Sequence, residues 1–179
     1  MRSKRMLLSD ISNGGKTMIR GIRDISGYDH EKYMQVAIEE AKIAGERGDK
    51  PIGAVLVHDH KIIGKMSNTW NTRMSKVHHA ENNLIMEHAQ YLREYGPECI
   101  IYTTLEPCLM CIGTIVMADI RNVVIAFADK HMQTRKFINS HSWLKDRIFN
   151  YIIGIKEEEC KDLFRKYGDE WEKRVLLGE

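Results

Sequence analysis

The sequence predicts an α/β fold, with a sheet of about five strands and helices on both faces. Three observations carry this. Short runs rich in β-branched and other apolar residues recur at 52–57, 99–104 and 123–128, the pattern of strands buried on both sides. Segments of helical period stand between these runs, so strands and helices alternate, as they do in layered α/β domains. The chain has 179 residues, 43% of them hydrophobic and 29% charged, which suits one domain with a sizeable core.

Taken in order, residues 1–27 carry Arg2, Lys4, Arg5, Lys16, Arg20 and Arg23 with Asn13-Gly14-Gly15 and show no period. They read as an N-terminal arm or weakly ordered extension, and 28–179 as the domain proper. A first helix is expected over 29–47, with Asp29 as N-cap, one face made of Tyr33, Val36, Ala37, Ala41 and Ala44, and Gly48 as the stop. The run 52–57 is a buried strand. His58-Asp59-His60 turns the chain, and 61–65 returns as the second arm of a β-hairpin. Two histidines at a hairpin tip invite a metal reading, but a solvated turn is the simpler one. The polar loop 68–76 offers Asn68, Asn71 and Arg73 as pocket-lining groups.

A second helix is expected over 79–95, striped by Leu84, Ile85, His88, Ala89 and Leu92 and stopped at Gly96-Pro97. A strand follows at 99–104. Residues 109–119 are apolar all round and read as a buried helix, and 123–128 as another strand. The stretch 129–147 is the least patterned, with a helix placed near 140–147. A fifth strand is placed at 148–155 and a closing helix at 157–174, whose acidic start suits the helix macrodipole.

Composition narrows the function classes. No apolar run is long enough to span a membrane. Met6-Leu7-Leu8 is too short for the core of a secretory signal, so a cytoplasmic protein is expected. A net charge of +2 lacks the clustered basic excess of a dedicated duplex-binding domain. Four cysteines make no disulfide scaffold. In a reducing compartment a Cys-x-x-Cys pair points to metal or redox chemistry. Cys99 and Cys160 lie in apolar stretches and read as small buried residues.

Two stretches carry the chemistry: His79-Ala80-Glu81 and Pro107-Cys108-Leu109-Met110-Cys111. Cys-x-x-Cys by itself is compatible with redox or structural zinc roles. A structural zinc site wants four protein ligands, and no second matched pair exists here. One imidazole and two thiolates leave a coordination position for water, the catalytic arrangement, and zinc brings that water's pKa to about 7. Glu81, two residues past the imidazole, is placed to carry protons without binding the metal. Both stretches fall at predicted helix starts, where partial positive charge favours thiolates, and Pro107 suits such a start.

These motifs resemble the cytidine-deaminase-like zinc deaminases, in the branch that holds tRNA adenosine deaminases and free-base deaminases acting on guanine or, in fungi, cytosine. The likeness rests on Pro51-Ile52-Gly53-Ala54-Val55-Leu56-Val57, Ile63-Gly64 followed by Asn68, His79-Ala80-Glu81, and Thr103-Thr104-Leu105-Glu106-Pro107-Cys108-Leu109-Met110-Cys111. It extends over about residues 29–165, with Gly154 and Glu159-Cys160 near its end. It implies a three-layer α/β/α fold with a central mixed sheet of about five strands, Zn2+ held by His79, Cys108 and Cys111, and proton transfer by Glu81. It further implies that Asn68 hydrogen-bonds the substrate's base, that main-chain groups around Ala80 and Glu106 line the pocket, and that the protein is a homodimer. His78 adjoins His79, and only the spacing to Glu81 selects His79 as ligand. His78 is then a candidate substrate contact or a polar neighbour of the site.

The expected activity is hydrolytic removal of an exocyclic amine from a nucleobase, leaving a carbonyl and releasing ammonia. Ser75-Lys76-Val77-His78 stands where the tRNA and guanine enzymes typically read Asp-Pro-Thr-Ala. That departure and the modest charge favour a free base or nucleoside as substrate. The stretch Thr104-Leu105-Glu106-Pro107-Cys108 supports the alternative, a tRNA-specific adenosine deaminase. The non-enzyme readings are a zinc-stabilised nucleic-acid-binding module, which would not need Glu81, and an inactive partner subunit, which would tend to lose it. Phe137, Trp143, Phe164 and Trp171 are candidates for an aromatic lid, each weighed against ordinary core packing.

Overall fold

The computed structural model describes residues 19–167 and 170–178. Asp29 accepts the Lys32 N–H at 3.1 Å and so caps α1 (His30–Glu46). This helix buries Tyr33, Met34, Ala37, Ile38, Ala41 and Ala44. Its close approach to the sheet is set at Gly53, where a Cβ would collide with the Ala37 carbonyl and the Ala41 nitrogen. Strands β1 (Gly53–His58) and β2 (Lys61–Ser67) form the expected hairpin. Asp59 and His60 both take positive φ, the two-residue turn whose twist matches its strands.

Three more strands complete the sheet: β3 (Cys99–Leu105), β4 (Asn122–Phe127) and β5 (Asn150–Ile153), in the order β2-β1-β3-β4-β5. β1 is antiparallel to both neighbours, while β3, β4 and β5 are mutually parallel. Hence β2, β3, β4 and β5 all point the same way. Their C-terminal ends and the start of β1 share one edge. On one face of the sheet lie α1 and α7 (Glu157–Tyr167). On the other lie α2 (Ala80–Glu87) and α4 (Leu109–Met117), packed together. The three-layer α/β/α architecture with a mixed five-stranded sheet is therefore the one expected. β3 and β4 are buried along their whole length, as their unbroken apolar runs require.

The differences are local. The helix expected over 79–95 is two, α2 and α3 (Ala89–Tyr95), because the backbone leaves helical angles at His88, whose ring occupies the space above Gly64 of β2. Residues 129–147 hold two short helices, α5 (Thr134–Ser140) and α6 (Ser142–Arg147), and the fifth strand is only four residues long. The closing helix is also two, α7 and α8 (Trp171–Leu177). The hairpin tip is exposed at Asp59 and His60, as a solvated turn should be, and its histidines also pack on aromatic rings: half-buried His58 on Tyr91 and Tyr95, and His60 on Tyr28 with ring centroids 4.1 Å apart. Of the N-terminal arm, residues 1–18 lie outside the described residues. Further on, Ile22 N donates to the Pro97 carbonyl and Ile25 is buried in the core.

Candidate active site

The two motifs arrive at the same sheet edge from neighbouring elements. His79 is the N-cap residue of α2, and Cys108 is the N-cap residue of α4, one turn before Cys111. Neither cap side chain is spent on its own helix, so both are available to a ligand. His79 Nδ1 lies 3.6 Å from Cys108 Sγ and 3.4 Å from Cys111 Sγ, and the two sulfurs are 3.6 Å apart. A tetrahedral zinc with Zn–S of about 2.3 Å and Zn–N of about 2.05 Å needs S···S and S···N edges of about 3.8 and 3.5 Å. The triangle fits that ion closely. Among the described residues no other group of three histidine, cysteine or acidic side chains is placed to hold a metal.

Charge follows the geometry. The Cys111 sulfur beside it, opposed by burial and helped by His79, holds the Cys108 thiol down to about 4. The same contact, with burial and the nearby Glu81 carboxylate, pushes Cys111 well up. Burial works against charge on His79, but Cys108 and Glu81 outweigh it and raise the imidazole above its ordinary value. Two thiols and an imidazole this close compete for protons, and a divalent cation is the partner that satisfies all three at once.

Glu81 is 3% exposed and lies in the first turn of α2. Its Oε1 accepts the Thr103 hydroxyl at 3.2 Å, and its Oε2 is 3.6 Å from Cys111 Sγ. Burial raises its pKa, with His79 pulling the other way. A carboxyl group that resists ionisation beside a metal triad is suited to carrying a proton in both directions.

The triad opens onto a cavity of about 460 Å³, within the range of small-molecule sites. Its buried floor is Ile52, Asn68, Glu81, Leu105, Glu106 and Asp129. Trp70, Lys76, Met132 and Trp171 stand among the more exposed residues at its mouth. Asn68, just past the end of β2, is 1% exposed, and its Oδ1 accepts the Trp70 N–H at 2.9 Å. Its amide Nδ2 is buried with no partner, a donor held at the cavity without a protein acceptor. The Trp70 ring stacks on that of His79, centroids 5.5 Å apart.

Two clasps hold the walls. Arg47, at the end of α1, reaches the Ser67 hydroxyl and the Asn68 carbonyl, while Asp49 accepts the N–H groups of Asn71 and Thr72 and the Thr72 hydroxyl. On the other side Glu106 accepts the N–H of Asp129 at 2.9 Å, the N–H of Arg135 at 2.8 Å and the Tyr151 hydroxyl at 3.1 Å. This pins the loop after β4 to the turn that carries Cys108.

Of the residues picked from sequence, His79, Cys108 and Cys111 come together, and Glu81, Asn68 and Glu106 reach the same cavity. Ala80 is fully buried beside it, and His78 turns aside to bond Asn83 Oδ1 at 2.9 Å; neither is among the described lining residues. Asn71 Nδ2 donates to the Gly48 carbonyl at 2.6 Å, and neither Asn71 nor Arg73 lines the cavity. Among the aromatics, Trp171 lines the mouth under the Lys50 ammonium, Phe164 packs in the core against Phe127, and Phe137 and Trp143 do not reach the cavity. Lys76 lines the mouth from the loop 75–78 that the sequence marked as bearing on substrate, whereas sequence reasoning missed Trp70, Asp129, Met132 and both clasps. The Asn-rich loop was a signal for Trp70. Asp49 beside Arg47 carried none.

Residues 28–127 match the profile of the cytidine and deoxycytidylate deaminase zinc-binding region. A tRNA-specific adenosine deaminase of Bacillus subtilis (strain 168) is 37% identical over 150 residues, 80% of this chain and 91% of that protein. A solved structure of a tRNA:A34 deaminase, of the kind that performs A-to-I editing at the wobble position of transfer RNA, superposes with a TM-score of 0.66 at 33% identity. The match spans 74% of this chain and 98% of that one. The guanine deaminase of Bacillus subtilis superposes with a TM-score of 0.52 at 32% identity, over 61% of this chain and 69% of that one.

Proposed function

The chain belongs to the cytidine and deoxycytidylate deaminase zinc-binding family, and from that premise we propose that it deaminates a small nucleobase substrate, a free base or its nucleoside. The family is one of zinc-dependent hydrolytic deaminases, so the overall reaction replaces an exocyclic amine with a carbonyl, consumes water and releases ammonia. The observation that carries the proposal is the buried, unpartnered Asn68 amide at the same cavity as Glu81 and the His-Cys-Cys triad. A polar heterocycle with a ring acceptor is what such a floor suits.

In this reading His79, Cys108 and Cys111 hold the zinc, which supplies a water acidic enough to react near neutral pH. Glu81 handles the protons. It takes the proton of the attacking water at its buried carboxylate and delivers it to the ring nitrogen next to the amine-bearing carbon; it then takes the proton of the hydroxyl added at that carbon and passes it to the amine, which leaves as ammonia. Thr103 fixes one Glu81 oxygen and leaves the other facing the triad. Asn68 Nδ2 orients the ring, and main-chain groups near Ala80 and Glu106 shape the floor. His78 acts through Asn83 rather than on the substrate.

The second reading, deamination of adenosine within tRNA, is favoured by the relatives, among them the Bacillus subtilis enzyme. The loop 75–78, where Ser-Lys-Val-His stands in place of the Asp-Pro-Thr-Ala of the tRNA and guanine enzymes, is the ground for the small-substrate reading. We further propose a homodimer joined through α2 and α4, because Met86 and Met117 are 73% and 75% exposed there with Leu109 nearby in sequence at the start of α4. Free cysteines and the composition agree with a cytoplasmic setting. Among the described residues no helix is long and apolar enough to cross a membrane.

Ammonia release from bases, nucleosides, nucleotides and a tRNA anticodon stem-loop tests the substrate. Turnover of free bases or nucleosides is expected. Activity on the stem-loop alone would overturn the small-substrate reading.

A further inference from the structure

A second concavity, of about 320 Å³, lies on the other side of two walls of the reaction cavity. The loop after β4 sends Asp129 and Met132 into the reaction cavity and Lys130 into this one. Helix α8 divides likewise, with Trp171 on the first and Lys173, Leu176 and Leu177 on the second. Lys161 and Arg165 of α7 close it. The described residues that line it are thus four cations and two leucines, with no carboxylate among them.

The walls are tied together. Lys130 N donates to the Val175 carbonyl at 3.0 Å, which sets the loop against α8. Lys161 pairs with Glu157 and Glu158, and Arg165 with Asp162, along α7. Those carboxylates are between 42% and 72% exposed, and exposed i,i+3 and i,i+4 pairs are weak enough for a better anion to displace them. Lys130 and Lys173 have no acidic partner among the described residues. The hollow thus gathers two cations without a described acidic partner, Lys130 and Lys173, beside two whose pairs are weak, and a multiply charged oxyanion is the ligand that engages all four.

We propose that this hollow is a phosphate-binding site next to the reaction cavity and separate from it. Its ligand is a phosphate group, either one belonging to a chain that continues from the base being deaminated or that of a free phosphorylated molecule. The proposal does not depend on which base reacts.

Inorganic pyrophosphate titrated calorimetrically into the full-length, zinc-loaded protein at low salt, in a phosphate-free buffer, is the direct probe. Binding is expected for the wild type, with a loss of about tenfold or more in K130A/K173A, as removal of charge-assisted contacts implies. The charge-matched control K136A/K145A, on α5 and α6 away from both cavities, should bind like the wild type, and deamination of a small substrate should continue in all three. A short single-stranded oligoribonucleotide forms the second arm. If its affinity falls in parallel with that of pyrophosphate, the phosphate belongs to a polynucleotide; if only pyrophosphate binds, it belongs to a free molecule. No pyrophosphate binding by the wild type, equal binding by K130A/K173A, or an equal loss in K136A/K145A would overturn the assignment.

Discussion

The Arg47 guanidinium donates to the main-chain carbonyl of Asn68 at 2.6 Å, so the end of the first helix holds the residue whose amide faces the cavity. The same guanidinium meets Asp49 at 2.7 Å through Nε, and the Asp49 side chain is fully buried. Four residues, Arg47, Asp49, Asn71 and Thr72, thereby fix the wall that carries Asn68 without lining the cavity themselves.

Asp49 gives that clasp a pH dependence. Burial alone would raise its carboxyl, but hydrogen bonds from Thr72, Arg47 and Asn71 together hold it below its ordinary value of 3.8. The unfolded chain then binds the proton more readily than the folded one. The stabilisation is present above about pH 4 and is lost as pH falls through the lower folded value. Asp49→Asn should cost about 1.5–3 kcal/mol at pH 7, the worth of hydrogen bonds to a charged group, and flatten the stability profile below pH 4. Denaturant unfolding from pH 7 to pH 2.5 on both proteins measures this. An unchanged acid limb in the variant would remove Asp49 from the explanation.

In the proposed reading, proton handling belongs to Glu81 and is separate from metal binding. Its oxygens meet Thr103 and Cys111 and it is not one of the triad, so Glu81→Ala should keep about one zinc per chain. Turnover should fall by about 10²–10⁴-fold, the usual worth of a positioned acid–base group. Metal analysis alongside the ammonia assay gives both numbers. Retained turnover would show that another group moves the proton.

The adjacent histidines differ in what they touch. His79 Nδ1 faces both sulfurs, while His78 Nδ1 is bonded to Asn83, which in turn holds the Ser67 carbonyl and the Thr69 hydroxyl. His79→Ala should therefore lose zinc, and His78→Ala should keep it while loosening the loop before α2. Zinc content measured after gel filtration distinguishes them, and the opposite pattern would reassign the ligand.

The strands and the triad were legible because local pattern decides them. The runs around Val55, Ile101 and Val124 have no other way to be buried, and His79, Glu81, Cys108 and Cys111 carry their chemistry in their spacing. The helix break at His88 was not legible, since it depends on a ring meeting Gly64 on a strand far away in sequence. Trp70 and Asp129 were missed for a related reason: each sits in an irregular loop whose path is set by distant carboxylates, Asp49 and Glu106. Glu106 itself was picked for its main chain, whereas its side chain proved to be the anchor.

That anchor has a measurable role. The Glu106 carboxylate accepts two main-chain N–H groups and the Tyr151 hydroxyl, all from elements beyond the metal turn. In Glu106→Gln one oxygen becomes an NH2 group that faces a donor instead of receiving it, leaving buried groups unpaired at a cost of about 1–3 kcal/mol. For a chain of this size that corresponds to a Tm lower by about 2–12 °C. The loop released would be the one bearing Asp129 and Met132, so KM should rise more than kcat falls, with zinc retained. Tyr151→Phe removes one of the three donors and should show a smaller version of the same effect. Calorimetry and steady-state kinetics on both variants provide the check: a Glu106→Gln protein with wild-type Tm and KM would mean that the loop holds its place without the clasp.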